Sequence, residues 1–295
     1  MSQSSDSDLN RNRQGKGKRL VGLLVGLLLL MGAVVVVWGR RDLLSEGISR
    51  MAHPAPGMIG LLALVLVGQL VLGGFLFSIL MKRFGRVGIL EMQALIASSA
   101  LLNYLPLRAG MFGRLAYHRA VNGIALRHST RTVIEALGIS MGGAVLVAGI
   151  LVLAIQGNVN PWLSASGVGV GLLVGCIGAG LRRWCGAGML RWVEFLLWAV
   201  RYHLVFGFLG VQLDWTGAFA LAGLSAMVNM IPFLSNGLGA REWGVGLVTP
   251  LLTPHTMELA IVAELVNRAA EIAVFLVTGT VGMAYLSGRR KLGES

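Results

Sequence analysis

Eight apolar runs follow one another along this chain: Leu20 to Trp38, Gly57 to Met81, Ile89 to Tyr104, Val133 to Ile155, Trp162 to Leu181, Trp192 to Val211, Trp215 to Ile231 and Met257 to Tyr285. Most match the length that crosses a bilayer, given about 1.5 Å of rise per residue and roughly 30 Å of hydrocarbon. Lipid satisfies no backbone N–H or C=O group, so runs of this kind fold as helices. With 55% hydrophobic and 13% charged residues and a mean hydropathy of +0.74, the sequence predicts an all-α integral membrane protein with one membrane domain over residues 20–288.

Two of the runs end in broken backbone. Asn229-Met-Ile-Pro-Phe-Leu-Ser-Asn-Gly-Leu-Gly-Ala-Arg-Glu242 stops at Pro232, which lacks a backbone donor, and passes through Gly237 and Gly239, which allow turns that other residues resist. Asn103 to Arg114 is a weaker copy, with Pro106 and Arg108 at its centre. Backbone freed at membrane depth is tolerated only inside protein or beside a water-filled cavity, which makes both segments candidate binding elements.

Charge then decides how those segments run. The net charge of +12 sits in short clusters between apolar runs, without the interleaving of aromatic and basic residues that nucleic-acid binding would need. If both broken segments turn back, nineteen of the 25 Lys and Arg residues lie on the cytoplasmic side and four outside; if both cross, the counts become eleven and twelve. The positive-inside bias therefore favours re-entry. Three full crossings separate the two segments, so they enter from opposite faces. The expected fold is six full transmembrane helices plus two re-entrant broken helices in an inverted repeat, with halves of about 20–155 and 162–288. A disordered basic tail (1–19) and a short C-terminal tail (289–295) are expected in the cytoplasm. Inverted repeats meeting at discontinuous helices are the arrangement of many secondary transporters.

The candidate ligand groups follow from the same logic. Arg241 offers a permanently charged planar fork for phosphate beside Glu242, and the exposed amides of a broken helix favour an anion. The last run carries Glu264, Asn267, Arg268 and Glu271 near one helical face, with Glu264 to Arg268 at i, i+4 and Arg268 to Glu271 at i, i+3. Charges this deep must face protein or water. The expectation is that Arg241 and Arg268 hold an anionic headgroup while Glu264 or Glu271 exchanges a proton or cation, with Glu135 a further candidate. Glu194 is expected to pair with Arg201. Gly167, Gly171 and Gly175 form a stripe expected to pack within the molecule, with a homodimer as the alternative. No catalytic, metal or cofactor site is expected. The aspartates (Asp6, Asp8, Asp42, Asp214) lie outside the apolar runs, the five histidines have no ligand spacing, and Cys176 and Cys185 form no motif.

These residues bring a family into view. Over roughly residues 20 to 288 the chain resembles the transmembrane region of lysylphosphatidylglycerol synthase, a flippase-like domain that also occurs as a stand-alone integral membrane protein. The family's later signature, a proline followed by a Gly-Gly-Leu-Gly-x-(Arg)-Glu-like turn, is similar to Pro232 to Glu242, with Ser235 and Asn236 in place of the second proline and first glycine. Its earlier signature, Asn-x-x-Pro-Gly-Arg-x-Gly-Glu followed by Arg, is similar to Asn103 to Arg114, with Leu107 for the glycine and Met111 for the glutamate. The usual Glu-Arg of the next helix is Glu135-Ala136, and Arg268 matches the arginine of the last span. The resemblance implies a multi-pass protein of a bacterial or archaeal plasma membrane that binds and flips a phospholipid or isoprenoid lipid with a charged headgroup. Any lipid-synthesis enzyme would be a separate protein. The alternative is a membrane-embedded transferase or accessory subunit in lipid-linked glycan or hopanoid synthesis. The charges lost at Met111 and Ala136 imply a different or less polar lipid than the family's usual one.

Overall fold

The computed structural model describes residues 31, 56–105, 108–157, 160–178, 180–231 and 235–293. Pro106, Pro232, the N-terminal tail, and the first apolar run apart from Met31 lie outside the described residues. Within them the chain is all-helical, without strands: α1 Pro56–Met81, α2 Ile89–Leu102, α3 Ala109–Ala120, α4 Leu126–Gly157, α5 Pro161–Gly175, α6 Arg182–Phe208, α7 Trp215–Met230, α8 Ala240–Leu252 and α9 Met257–Gly293. Two helical stretches are long and apolar enough to cross a membrane, Pro56–Met81 and Leu126–Leu153.

Polarity is distributed inside out. Only 33% of an 18-residue apolar window in each of those two stretches is buried. Leu64 and Phe75 on α1, Met141 and Val145 on α4, Leu163 and Val170 on α5, and Val277 and Val281 on α9 all face outward, whereas Arg201, Arg241, Glu242 and Glu264 are buried. An apolar exterior of this extent around interior charges is compatible with a membrane protein.

The helices cross-brace one another. Helices α2 and α3 form one hairpin, α7 and α8 another. Helix α9 runs along α2, α4 packs on α7, and α1 lies against α6 between them. Each hairpin is thus held by the last helix of the other half. The largest apolar core joins Leu66 of α1, Val147 of α4, Phe195 and Phe206 of α6, Phe219 of α7, Val245 of α8 and Ile261 of α9.

Both hairpins break where the sequence predicts. In the first, Arg108 caps α3 in the left-handed region (φ 50°), and the Asn103 side chain accepts a hydrogen bond from the Met111 N–H at 3.0 Å, which closes the turn. The arms touch at Gly110, whose carbonyl accepts from Ser99 Oγ at 3.0 Å; a Cβ on Gly110 would run into the Ser99 backbone. Gly110→Ala is therefore expected to cost about 1–3 kcal/mol through overpacking, read as a lower thermal midpoint in detergent; an unchanged midpoint would mean the arms part freely. In the second hairpin a 3-10 turn over Ser235–Gly237 contains Asn236 at φ 50°, and Gly237 (φ 70°) and Gly239 (φ 78°) supply positive angles that a side chain resists.

The glycine stripe of α5 differs from expectation. Gly167 and Gly171 meet no neighbouring atoms, and only Gly175 approaches another helix, at Cys185. The stripe falls on the outer side of α5 because that helix meets α6 through Ala165 and Gly169, where Trp192 sits.

Candidate functional site

Behind the second hairpin lies a buried ionic network. Glu264 accepts from Arg241 Nε through one oxygen, and through the other from Tyr202 at 2.8 Å and Asn267 at 3.0 Å. Glu271 Oε2 accepts from Arg201 and, at 3.0 Å, from Arg241; its Oε1 accepts from Tyr104 at 2.9 Å and Asn236 at 3.0 Å. Arg268 forms an ion pair with Glu242, without hydrogen-bond alignment at Nε, and donates to the carbonyls of Asn236 (3.3 Å) and Gly237 (3.4 Å). Arg201 also donates to Asn267 and to Gln69 Oε1 at 3.2 Å. Trp198 lies under the Arg201 and Arg241 guanidinium groups at 4.8 and 5.3 Å. Three arginines thus meet three glutamates, so the network is neutral as a whole. Neutrality is what makes ionised groups tolerable where they are almost wholly buried.

Between the two hairpins opens a cavity of about 300 Å³. The first hairpin contributes Asn103, Arg108, Met111 and Arg114, and the second hairpin Asn229 and Asn236; α1, α4, α6 and α9 complete the wall. Most of the remaining lining is apolar, including Phe77, Ile96, Leu137, Phe195, Trp198 and Phe275. Arg108 donates to the carbonyls of Asn229 and, at 3.1 Å, Ile231, at the C-terminal end of α7. Those carbonyls sit at the negative end of the helix dipole, where a guanidinium is favoured.

Arg114 is different from every other arginine around the cavity. It is 8% exposed, and its guanidinium lies over the Phe77 ring at 3.8 Å. Among the described residues no carboxylate or hydrogen-bond acceptor pairs with it. The two glutamates of the wall are already engaged, Glu194 with Arg191 at 2.7 Å and Glu271 with Arg201. A cation buried without a counter-charge is costly unless a ligand supplies one.

The structure therefore rearranges the expected site. Asn103, Arg108, Arg114, Asn229 and Glu271 meet at the cavity. Arg241, Glu242, Glu264, Arg268, Gly237 and Gly239 form the neutral support behind it and do not line it. Pro106 and Pro232 lie outside the described residues. Glu135 is displaced altogether: it pairs with Arg83 and, at 3.1 Å, with Arg131, because it sits one turn beyond Arg131 on α4 and away from the wall that Ala136 and Ser140 present. Glu194 pairs with Arg191 one turn back rather than with Arg201, which reaches across to α9 instead. The charges of α9 likewise pair between helices rather than along α9. Sequence reasoning missed Gln69, Tyr104, Trp198 and Asn236. A lone Gln69 within the apolar α1 run was the one signal that could have flagged its helix. No family model matches the chain, and neither a curated protein nor a solved structure does.

Proposed function

We propose that this chain is a multi-pass protein of a bacterial or archaeal plasma membrane that binds a lipid with an anionic headgroup and carries that headgroup across the bilayer. The observation that carries the reading is Arg114, a buried cation without a counter-charge among the described residues, facing a cavity between two broken-helix hairpins. The apolar exterior and charged interior support membrane embedding. The helix contacts support an inverted repeat: exchanging α1 with α6, α2 with α7, α3 with α8 and α4 with α9 turns each major contact among these helices into another that is also present. On this reading six full spans and two re-entrant hairpins enclose a midplane site, with the chain ends in the cytoplasm.

In the proposed mechanism the headgroup exchanges water for Arg114 and the N-terminal end of α3, while the tails remain in lipid. The neutral network fixes the second hairpin and the first is left to receive charge. Reconstitution into liposomes tests this. Fluorescent anionic phospholipid in the outer leaflet should become inaccessible to a membrane-impermeant quencher faster than in protein-free vesicles, and cysteine labels in the 108–131 stretch should react only from the cytoplasmic side. Equal rates with and without protein would refute transport, and labelling from outside would refute the inverted topology.

A further inference from the structure

Resting on that reading of the cavity as a lipid site, we infer that the headgroup is an unadorned phosphate: a lipid phosphomonoester, rather than a zwitterionic or aminoacylated phospholipid. Three features of the wall select it. First, the available charge is positive, at Arg114, a cavity-lining residue whose guanidinium has no hydrogen-bond or ion-pair partner among the described residues. Second, no acid is left for a headgroup amine. Both wall glutamates are committed, Glu194 to Arg191 and Glu271 to Arg201, Arg241, Tyr104 and Asn236. An ammonium group brought into this cavity would be buried without a partner, which a specific site cannot afford. Third, the α2 and α4 side of the cavity wall, with Phe77 of α1, is apolar apart from two serine hydroxyls whose protons are already committed. Phe77, Ile96, Ala100, Val133, Ala136 and Leu137 offer nothing to a glycerol or sugar hydroxyl, Ser99 Oγ donates to the Gly110 carbonyl, and Ser140 Oγ donates to the Ala136 carbonyl. A phosphate with three unesterified oxygens and nothing beyond them meets the guanidinium fork without stranding a further polar group.

The two halves differ in the same way. In the second half, Arg241 of α8 is answered by Glu264 and Glu271 from α9, while in the half that holds Arg114, α4 presents Ala136, Leu137 and Ser140 to the cavity. The counter-charge missing from this half is the one the ligand would bring.

Native mass spectrometry of the full chain in detergent, titrated with phosphatidic acid, phosphatidylglycerol, phosphatidylethanolamine or inorganic phosphate, tests the inference. Phosphatidic acid should bind at least about tenfold more tightly than phosphatidylglycerol, and phosphatidylethanolamine should bind no better than background. In Arg114→Gln the ratio should collapse to within about twofold, and Arg114→Lys should restore part of it. Equal binding of phosphatidic acid and phosphatidylglycerol, both lost in Arg114→Gln, would overturn the monoester preference while leaving the anionic-lipid reading intact. Inorganic phosphate binding as tightly as the lipid would identify a free anion and overturn both. A ratio unchanged in Arg114→Gln and Arg114→Lys, with wild-type melting behaviour, would remove Arg114 from recognition.

Discussion

Exchanging Glu271 for alanine is expected to destabilise the protein by about 3–5 kcal/mol, the largest effect of any single substitution considered. One carboxylate here ties four segments together: Arg201 on α6, Arg241 on α8, Tyr104 beyond the end of α2 and Asn236 in the 3-10 turn. Its removal leaves two guanidinium groups buried with one fewer counter-charge, at 1% and 0% exposure. The measurement is the thermal midpoint in detergent, compared with Arg201→Met and with Arg201→Met/Glu271→Met. The paired variant should be closer to wild type than the alanine variant, because it removes charge of both signs. An alanine variant as stable as wild type would mean that the network does not hold the helices together.

Arg114 should behave in the opposite way. Arg114→Gln removes a buried charge that no carboxylate among the described residues answers, so the thermal midpoint is expected to stay level or rise. Lipid translocation should fall by about tenfold or more, the range of one charge-assisted contact. The two variants thus separate support from site: Glu271 matters for stability, Arg114 for the ligand. Arg114→Gln that melts well below wild type would instead place Arg114 in the structural frame.

How much of this could be read from the sequence depends on the kind of interaction. Apolar length located the helices, closely at Trp215–Met230 but with α4 and α6 beginning seven and ten residues before their apolar runs and α5 ending six residues early, and the glycine pair at 237 and 239 located the second break, because both signals are local. Charge partnership is not local. Spacing on α9 suggested pairs along the helix, yet Glu264 and Glu271 are drawn to Arg241 on α8, where each guanidinium is buried and cannot turn to water. The same limit hid the role of the first hairpin. The loss of a glutamate at Met111 reads in the sequence as a weakened motif; in three dimensions that position lines the cavity beside an unanswered Arg114. Glu135, early in its apolar run, is taken by Arg83 from beyond the end of α1 and by Arg131 one turn back on α4.

The central claim is that Arg114 receives an anionic lipid headgroup. It is met most directly by identifying the lipids that stay with the purified protein. Native mass spectrometry of wild type and Arg114→Gln, extracted identically from the same membranes, should find an anionic lipid retained by the first and absent from the second, with the variant's thermal midpoint no lower than that of wild type. The same lipid retained in equal amount by both would contradict the claim.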